Sequence, residues 1–305
     1  MGDWPVIRTE NLTKNYGTKT GVAGVTFTVD EGEVVGFLGP NGSGKTTVLR
    51  MLVGLISVSS GRAELFGRDV TTSKPSMRAD VGYLPGTLGL YEHMTAAQYF
   101  SFLARLRRRD CAPAWSTLCE RLNLDPGARI RSMSKGTRQK VGVVQAFMHS
   151  PRLLILDEPT SGLDPLVQHE FDDLLSETRA SGASVLLSSH VMSEVERLAS
   201  KVAILNAGRL VAFDHVEHLP GRGTRTVVLE FETATDPAFL RGCLGFTLTR
   251  HDGRFVEGVS TGSQRDILEA SLRHGLVRVH SPEPSLDELF RSLVQSAPAP
   301  AGPVG

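Results

Sequence analysis

Cysteine is scarce in this chain of 305 residues. Cys111, Cys119 and Cys243 are an odd number without close spacing. They supply neither a disulfide framework nor a zinc site, and a reducing compartment is the simple reading. Aromatic residues make up 6%, too few for the stacking platforms that hold single-stranded nucleic acid. Neither sign of charge is in excess: Lys+Arg is 33, Asp+Glu is 33, and the formal net charge is +0. Binders of nucleic-acid backbones show a basic surplus, so nucleic acid is not an expected partner. No apolar run approaches the ~18 residues that span a bilayer. The opening MGDWPVIRTE carries Asp3 and no apolar core, unlike a secretory leader. Gly2 follows Met1, but Val6 stands where a myristoylation signal needs Ser or Thr. Any work at a membrane is therefore expected to go through a partner.

What the chain does have is alternation. VVGFL (34–38), LLIL (153–156), SVLLSS (184–189) and KVAIL (201–205) are near-continuous apolar runs, which suit strands buried on both faces. Helical patterns lie between them, so the expected core is α/β with a mainly parallel central sheet. IRTENLTKNYG and VTFTVDEGE predict an antiparallel strand pair at the edge. From about 90 to 135 the pattern turns helical. TAAQ (95–98) reads as a capping box, with Thr95 as N-cap and Gln98 reaching back. Phe100, Leu103 and Leu106 are expected in the core of that helical subdomain. The turn-rich LPGRG near 218–223 separates a first domain, 1–218, from a second, 223–295. There TVVLEFET, AFLRGC, RFVEGV and SQRDILEASLRHG predict a small α+β domain of βαβ-type units. SAPAPAGPVG at the end (296–305) is expected to be disordered.

The densest chemistry is GPNGSGKTT, Gly39 to Thr47, between an apolar strand and a helical pattern. Gly39 to Thr46 satisfies G-x-x-x-x-G-K-[ST] in the strand–loop–helix context that makes it a phosphate cradle. Backbone N–H groups from Asn41, Gly42, Ser43 and Gly44 through Thr47 can turn toward a phosphate, and the helix opening near Lys45 aims its positive end there. Lys45 reaches the β- and γ-phosphates, and the Thr46 hydroxyl ligates Mg²⁺. The loop alone predicts an NTPase. LLILDEP narrows it: Asp157 stands where such enzymes hold Mg²⁺, and Glu158 is placed to orient or deprotonate a water.

GPNGSGKTT, SMSKGTRQK, LLILDEPTSGLDP and LLSSH occur in this order over about residues 5–215. In this the chain resembles the ATP-binding subunits of ABC transporters. The SKG form of the MSKGT segment (133–137) is similar to the exporter branch that includes antibiotic and polyketide resistance pumps. Ser134 and Gly136 match the family signature; Lys135 and Thr137 depart from its commonest form. The resemblance implies a P-loop ATPase cassette that binds ATP and Mg²⁺ and works as a homodimer or heterodimer of ATP-binding subunits. Ser134 and Gly136 would then meet the γ-phosphate held by the partner subunit. It also implies that Tyr16 stacks on adenine, that Ser161–Asp164 crosses the dimer interface, and that His190 contacts the γ-phosphate. A membrane-spanning permease subunit would hold the chain at the cytoplasmic face of the cell membrane, and cargo would be a drug or hydrophobic compound.

One departure stands out. The family usually has a glutamine after a Gly-Tyr-x-Pro pattern, where VGYLPGTLGLYEHMT places Gly86, a form that some exporter-branch members share. Glycine has no amide oxygen for Mg²⁺ or water. Restoring glutamine is expected to leave hydrolysis unchanged or raise it, while export responds differently. SPEPSLDELFRSLV (281–294) resembles, more weakly, the last helix of a C-terminal appendage common in the exporter branch.

Overall fold

The apolar runs become strands because nearly every residue in them is buried. The computed structural model describes residues 4–72, 75–219, 224–261, 263–281 and 284–296. The chain divides into two compact units, Met1–His215 and Val216–Ala297. Of the expected LPGRG seam, residues 220–223 lie outside the described residues, as do 297–305 of the expected tail.

The first unit opens with β1 (Ile7–Tyr16), β2 (Lys19–Val29), β3 (Val34–Leu38), α1 (Lys45–Leu52), β4 (Ser60–Leu65), β5 (Arg68–Asp69) and β6 (Val81–Leu84). It continues with α2 (Ala96–Arg107), α3 (Ala112–Arg121), α4 (Lys135–Phe147), β7 (Leu153–Asp157) and α5 (Pro165–Ala180). β8 (Ser184–Ser189), α6 (Met192–Leu198), β9 (Lys201–Asn206) and β10 (Arg209–His215) complete it. The central sheet has six strands in the order β10-β9-β3-β8-β7-β6. All its pairings are parallel except the β9–β10 hairpin. β3 and β7 are buried at every position, as expected for strands covered on both faces. The expected edge pair exists as β1 and β2, within a separate antiparallel sheet of order β2-β1-β4-β5. Phe27 of β2 meets Phe37 of β3 edge to face at 4.9 Å, inside a core that includes Leu49, Leu65 and Ile155. Each such fully buried side chain contributes about 1.5–3 kcal/mol relative to exposure.

The helical stretch holds α2, α3 and the start of α4. Its capping box is present: Gln98 N–H donates to Thr95 Oγ1 at 3.2 Å, and Thr95 N–H to Gln98 Oε1 at 2.9 Å. Phe100 is fully buried, 5.8 Å from the Trp115 ring. Leu106, expected beside it, is instead 66% exposed. Six residues along a helix turn about 240°, so Leu106 leaves the stripe that Phe100 starts.

The second unit contains β11 (Arg225–Phe231), β12 (Phe246–Asp252), β13 (Phe255–Ser260), α7 (Gln264–Leu272), β14 (Leu276–His280) and α8 (Leu286–Ser296), with a 3₁₀ turn at Pro237–Gly242. Its strand order is β12-β13-β11-β14 and every pairing is antiparallel. The expected βαβ units are therefore split: β13 inserts between β11 and β12, and β11 between β13 and β14. This is the interleaved ferredoxin-like arrangement. Val227, Leu229, Phe231 and Ile267 form its core. α8 opens with Ser285 and Glu288 exchanging the two hydrogen bonds of a capping box.

Candidate nucleotide site

Functional residues of parallel sheets gather beyond the carboxyl ends of the strands. Here β3, β8 and β7 are neighbours, and each ends in sequence-predicted site residues. The 39–44 loop follows β3, Glu158 follows β7, and His190 follows β8.

The loop folds as it does because of glycine. Gly42 has φ 80° and Gly44, the residue before α1, has φ 107°, a region that side chains with a Cβ rarely occupy. The loop leads into an α1 N-terminus with no side-chain cap, leaving N–H donors open for an anion. Beside it lies a cleft of about 570 Å³. Asn41, Gly42, Ser43 and Gly44 line it, as do Lys45, Thr46 and Thr47. Tyr16, half exposed at the end of β1, and Glu158 complete the predicted lining.

Lys45 is 5% exposed. Its Nζ donates to Gly39 O at 2.6 Å and Pro40 O at 3.3 Å, and lies 3.9 Å from Glu158 Oε1. Burial pushes its pKa below the usual lysine value, and the carboxylates of Glu158 and Asp157 partly offset this. A buried ammonium on two neutral carbonyls is electrostatically suited to a further anion. The Ser43 hydroxyl is buried without a partner among the described residues, and the Thr46 side chain makes no hydrogen bond there. Cation, open donors and orphaned hydroxyl together fit a polyphosphate.

Asp157 is buried and its oxygens are divided. Ser188 Oγ donates to Oδ1 at 2.6 Å, and Gly86 N–H to Oδ2 at 3.4 Å. Glu158 Oε2 is 2.6 Å from His190 Nδ1, and His190 is 53% exposed. One chain thus brings Lys45, Asp157, Glu158 and His190 together. Ser134 and Gly136 do not line this cleft. Ser134 is the exposed N-cap of α4, accepting from Thr137 N–H at 3.1 Å. A Cβ at Gly136 would stand 2.5 Å from Gly162 O, so close approach requires glycine there.

Sequence reasoning missed several contributors. Ala207 and Gly208 form the two-residue turn between β9 and β10, both with positive φ, as such hairpins require. This turn lines the cleft, and Gly208 N–H donates to Ser43 O at 3.0 Å. The NAGR pattern was the available signal. Ser188 and Gln139 lie inside LLSSH and SMSKGTRQK, but their contacts could not be read there, because their partners are distant in sequence. Gly86 is not among the glycines with positive φ. Space for a side chain is tight instead: a Cβ would lie 3.0 Å from Asp157 Oδ2, so that carboxylate would have to give by a few tenths of an ångström.

Residues 22–161 match the family model described as ABC transporter. The chain is 32% identical over 296 residues to the bacitracin transport ATP-binding protein BcrA of Enterococcus faecalis, spanning 95% of this chain and 96% of that one. It is 29% identical to the linearmycin resistance ATP-binding protein LnrL of Bacillus subtilis (strain 168), over 94% and 98% of the two chains. A solved ATP-binding subunit of an ABC transporter superposes with a TM-score of 0.66 at 30% identity, covering 70% of this chain and 91% of the other. The phosphate-binding geometry and these likenesses agree: the chain belongs to the ATP-binding proteins of ABC transporters and is an ATPase.

Proposed function

We propose that this ATPase powers a membrane exporter of antibiotic-like hydrophobic compounds, working as a homodimer or heterodimer of ATP-binding subunits. The observation that carries the catalytic reading is the meeting of Lys45, Asp157, Glu158 and His190 at the ends of three adjacent strands. Lys45 offsets charge on the β- and γ-phosphates. Tyr16 offers its exposed ring to adenine. Thr46 and Asp157 are the residues that would hold Mg²⁺, whose charge would offset that developing on the phosphates. Glu158 accepts the proton of the attacking water, and His190, bonded to it, faces the γ-phosphate. Ser134 and Gly136 contact the nucleotide of the partner subunit, which accounts for their place outside the cleft of their own chain.

No helix among the described residues is long and apolar enough to cross a membrane. On the proposed reading, a permease subunit holds the chain at the cytoplasmic face of the cell membrane. The cargo class is supported by the relatives named for bacitracin and linearmycin. Residues 1–218 act as the cassette, with 90–135 as its helical subdomain, and 223–295 as an accessory domain. Purification with the membrane protein that accompanies it tests this reading. Hydrolysis stimulated by that partner and by a peptide or polyene antibiotic is expected. Absence of any membrane partner overturns it.

Ser134→Arg isolates the interface. The substituted side chain lies outside the cleft, so ATP affinity of one subunit should stay within about twofold, while ATP-driven dimerisation is lost because the bulk of arginine cannot fit where a small hydroxyl would meet the partner's nucleotide. Size-exclusion chromatography with ATP checks this; a persisting dimer contradicts the signature assignment.

Gly86 now carries a different expectation from the one its sequence suggests. Any side chain there crowds the Asp157 carboxylate. Gly86→Ala and Gly86→Gln should both lower hydrolysis, by up to about tenfold, and raise the Mg²⁺ concentration needed for half-maximal rate. An unchanged Mg²⁺ dependence in Gly86→Ala would show that the contact is inconsequential.

A further inference from the structure

We propose that Gln139, on the helix that opens at the signature residues, is a positioning residue for the Glu158 carboxylate. Gln139 lies in the second turn of α4 and is 5% exposed. Its Nε2 donates to Glu158 O at 3.3 Å and to Pro159 O at 2.9 Å. A buried amide spent on backbone oxygens is a fixed strut, because withdrawing it leaves polar groups unpaired away from water.

Glu158 needs such a strut. Its φ of 52° puts a non-glycine residue in the left-handed region, which persists where the surroundings over-determine it. The other side of the residue is held as well. Glu158 N–H donates to Ser188 O at 3.1 Å and to Ser188 Oγ at 3.2 Å. β8 thus grips the N–H of Glu158 and α4 grips its carbonyl. The carboxylate between them is left facing His190 and Lys45.

The first turn of α4 packs on the same loop. Gly136 lies against Gly162 O, and Lys135 Nζ reaches Ser161 Oγ at 3.5 Å. The helix that begins at Ser134 and the loop from Glu158 to Gly162 form one packed piece. A ligand pressing on Ser134 therefore acts on the backbone of Glu158 in the same chain, and Gln139 is the hydrogen-bonded link. This rests on the proposed reading of Glu158 as the base for hydrolysis and of Ser134 as a contact to the partner's nucleotide.

The test uses the full-length chain with Gln139→Met, Gln139→Asn, Glu158→Gln and the double variant Gln139→Met/Glu158→Gln. Met conserves length and burial but has no N–H. Its kcat for ATP should fall about ten- to a hundredfold, as expected for a misplaced catalytic group. The Kd for a fluorescent ATP analogue should stay within about twofold of wild type, a split that simple loss of packing would not produce. Asn keeps the donor on a shorter chain and should give an intermediate kcat. In the double variant no loss beyond that of Glu158→Gln is expected, because no base remains to be positioned. Wild-type kcat in Gln139→Met, a parallel loss of affinity, or multiplied losses in the double variant would each overturn the proposal. If Gln139→Met does not fold, unchanged kcat in Gln139→Asn overturns it equally. Failure of the underlying reading has its own signature, since Glu158→Gln would then itself hydrolyse ATP at the wild-type rate.

Discussion

Lys45→Ala is expected to abolish ATP hydrolysis and weaken ATP binding by about ten- to a hundredfold, the range of one or two lost charge-assisted hydrogen bonds. The ammonium is nearly enclosed and, among the described residues, bonds only to loop carbonyls and, at longer range, to Glu158. Burial already disfavours its charge, so removing it should cost the unliganded fold little. What disappears is the stabilisation conferred by nucleotide. Wild-type protein should gain melting temperature as ATP is raised, because a ligand that binds only the native state shifts the unfolding equilibrium. Lys45→Ala should show a much smaller gain at the same ATP concentration. Differential scanning calorimetry across an ATP series, beside a phosphate-release assay, measures both effects. Wild-type turnover in this variant would remove the cradle assignment.

Glu158→Gln should lower turnover by about 10²–10⁴-fold, the usual contribution of a general base, and leave ATP affinity nearly intact. The substitution keeps side-chain length and hydrogen bonding, and so leaves the left-handed backbone and the His190 contact in place. Replacement by Gly would instead relax a backbone at φ 52° and mix two effects. Dissociation of the proposed dimer requires cleavage of the γ-phosphate, so this variant should remain dimeric in ATP while wild type returns to monomer. Light scattering during an ATP chase follows the difference. Rapid dissociation of Glu158→Gln would place the base elsewhere.

These two residues are legible in the sequence because their chemistry is contiguous. The cradle is a run of adjacent glycines and a lysine after a strand, and Asp157 and Glu158 end another apolar run. The N-cap at Thr95 was readable for the same reason: its partner, Gln98, is three residues away. The exposure of Leu106 was open to the same local reasoning, since helical geometry already turns it away from Phe100.

The sequence by itself determined four of the six central strands (β3, β7, β8 and β9), the edge pair, the helical stretch, the phosphate loop and the identity of the acidic pair, because local spacing and apolar periodicity encode them. Only the tertiary structure decided which surfaces meet. It set the turn at Ala207–Gly208 on the phosphate loop, Ser188 between Asp157 and Glu158, and Gln139 under the Glu158 carbonyl. It also crowded Gly86 against Asp157 and interleaved the strands of the second unit. Ser188 Oγ to Asp157 Oδ1 joins two side chains; the others involve backbone or whole strands, and all of them cross a long stretch of chain. A carbonyl or N–H is the same group at almost every residue, so nothing in the order of side chains marks which of them a distant group will find.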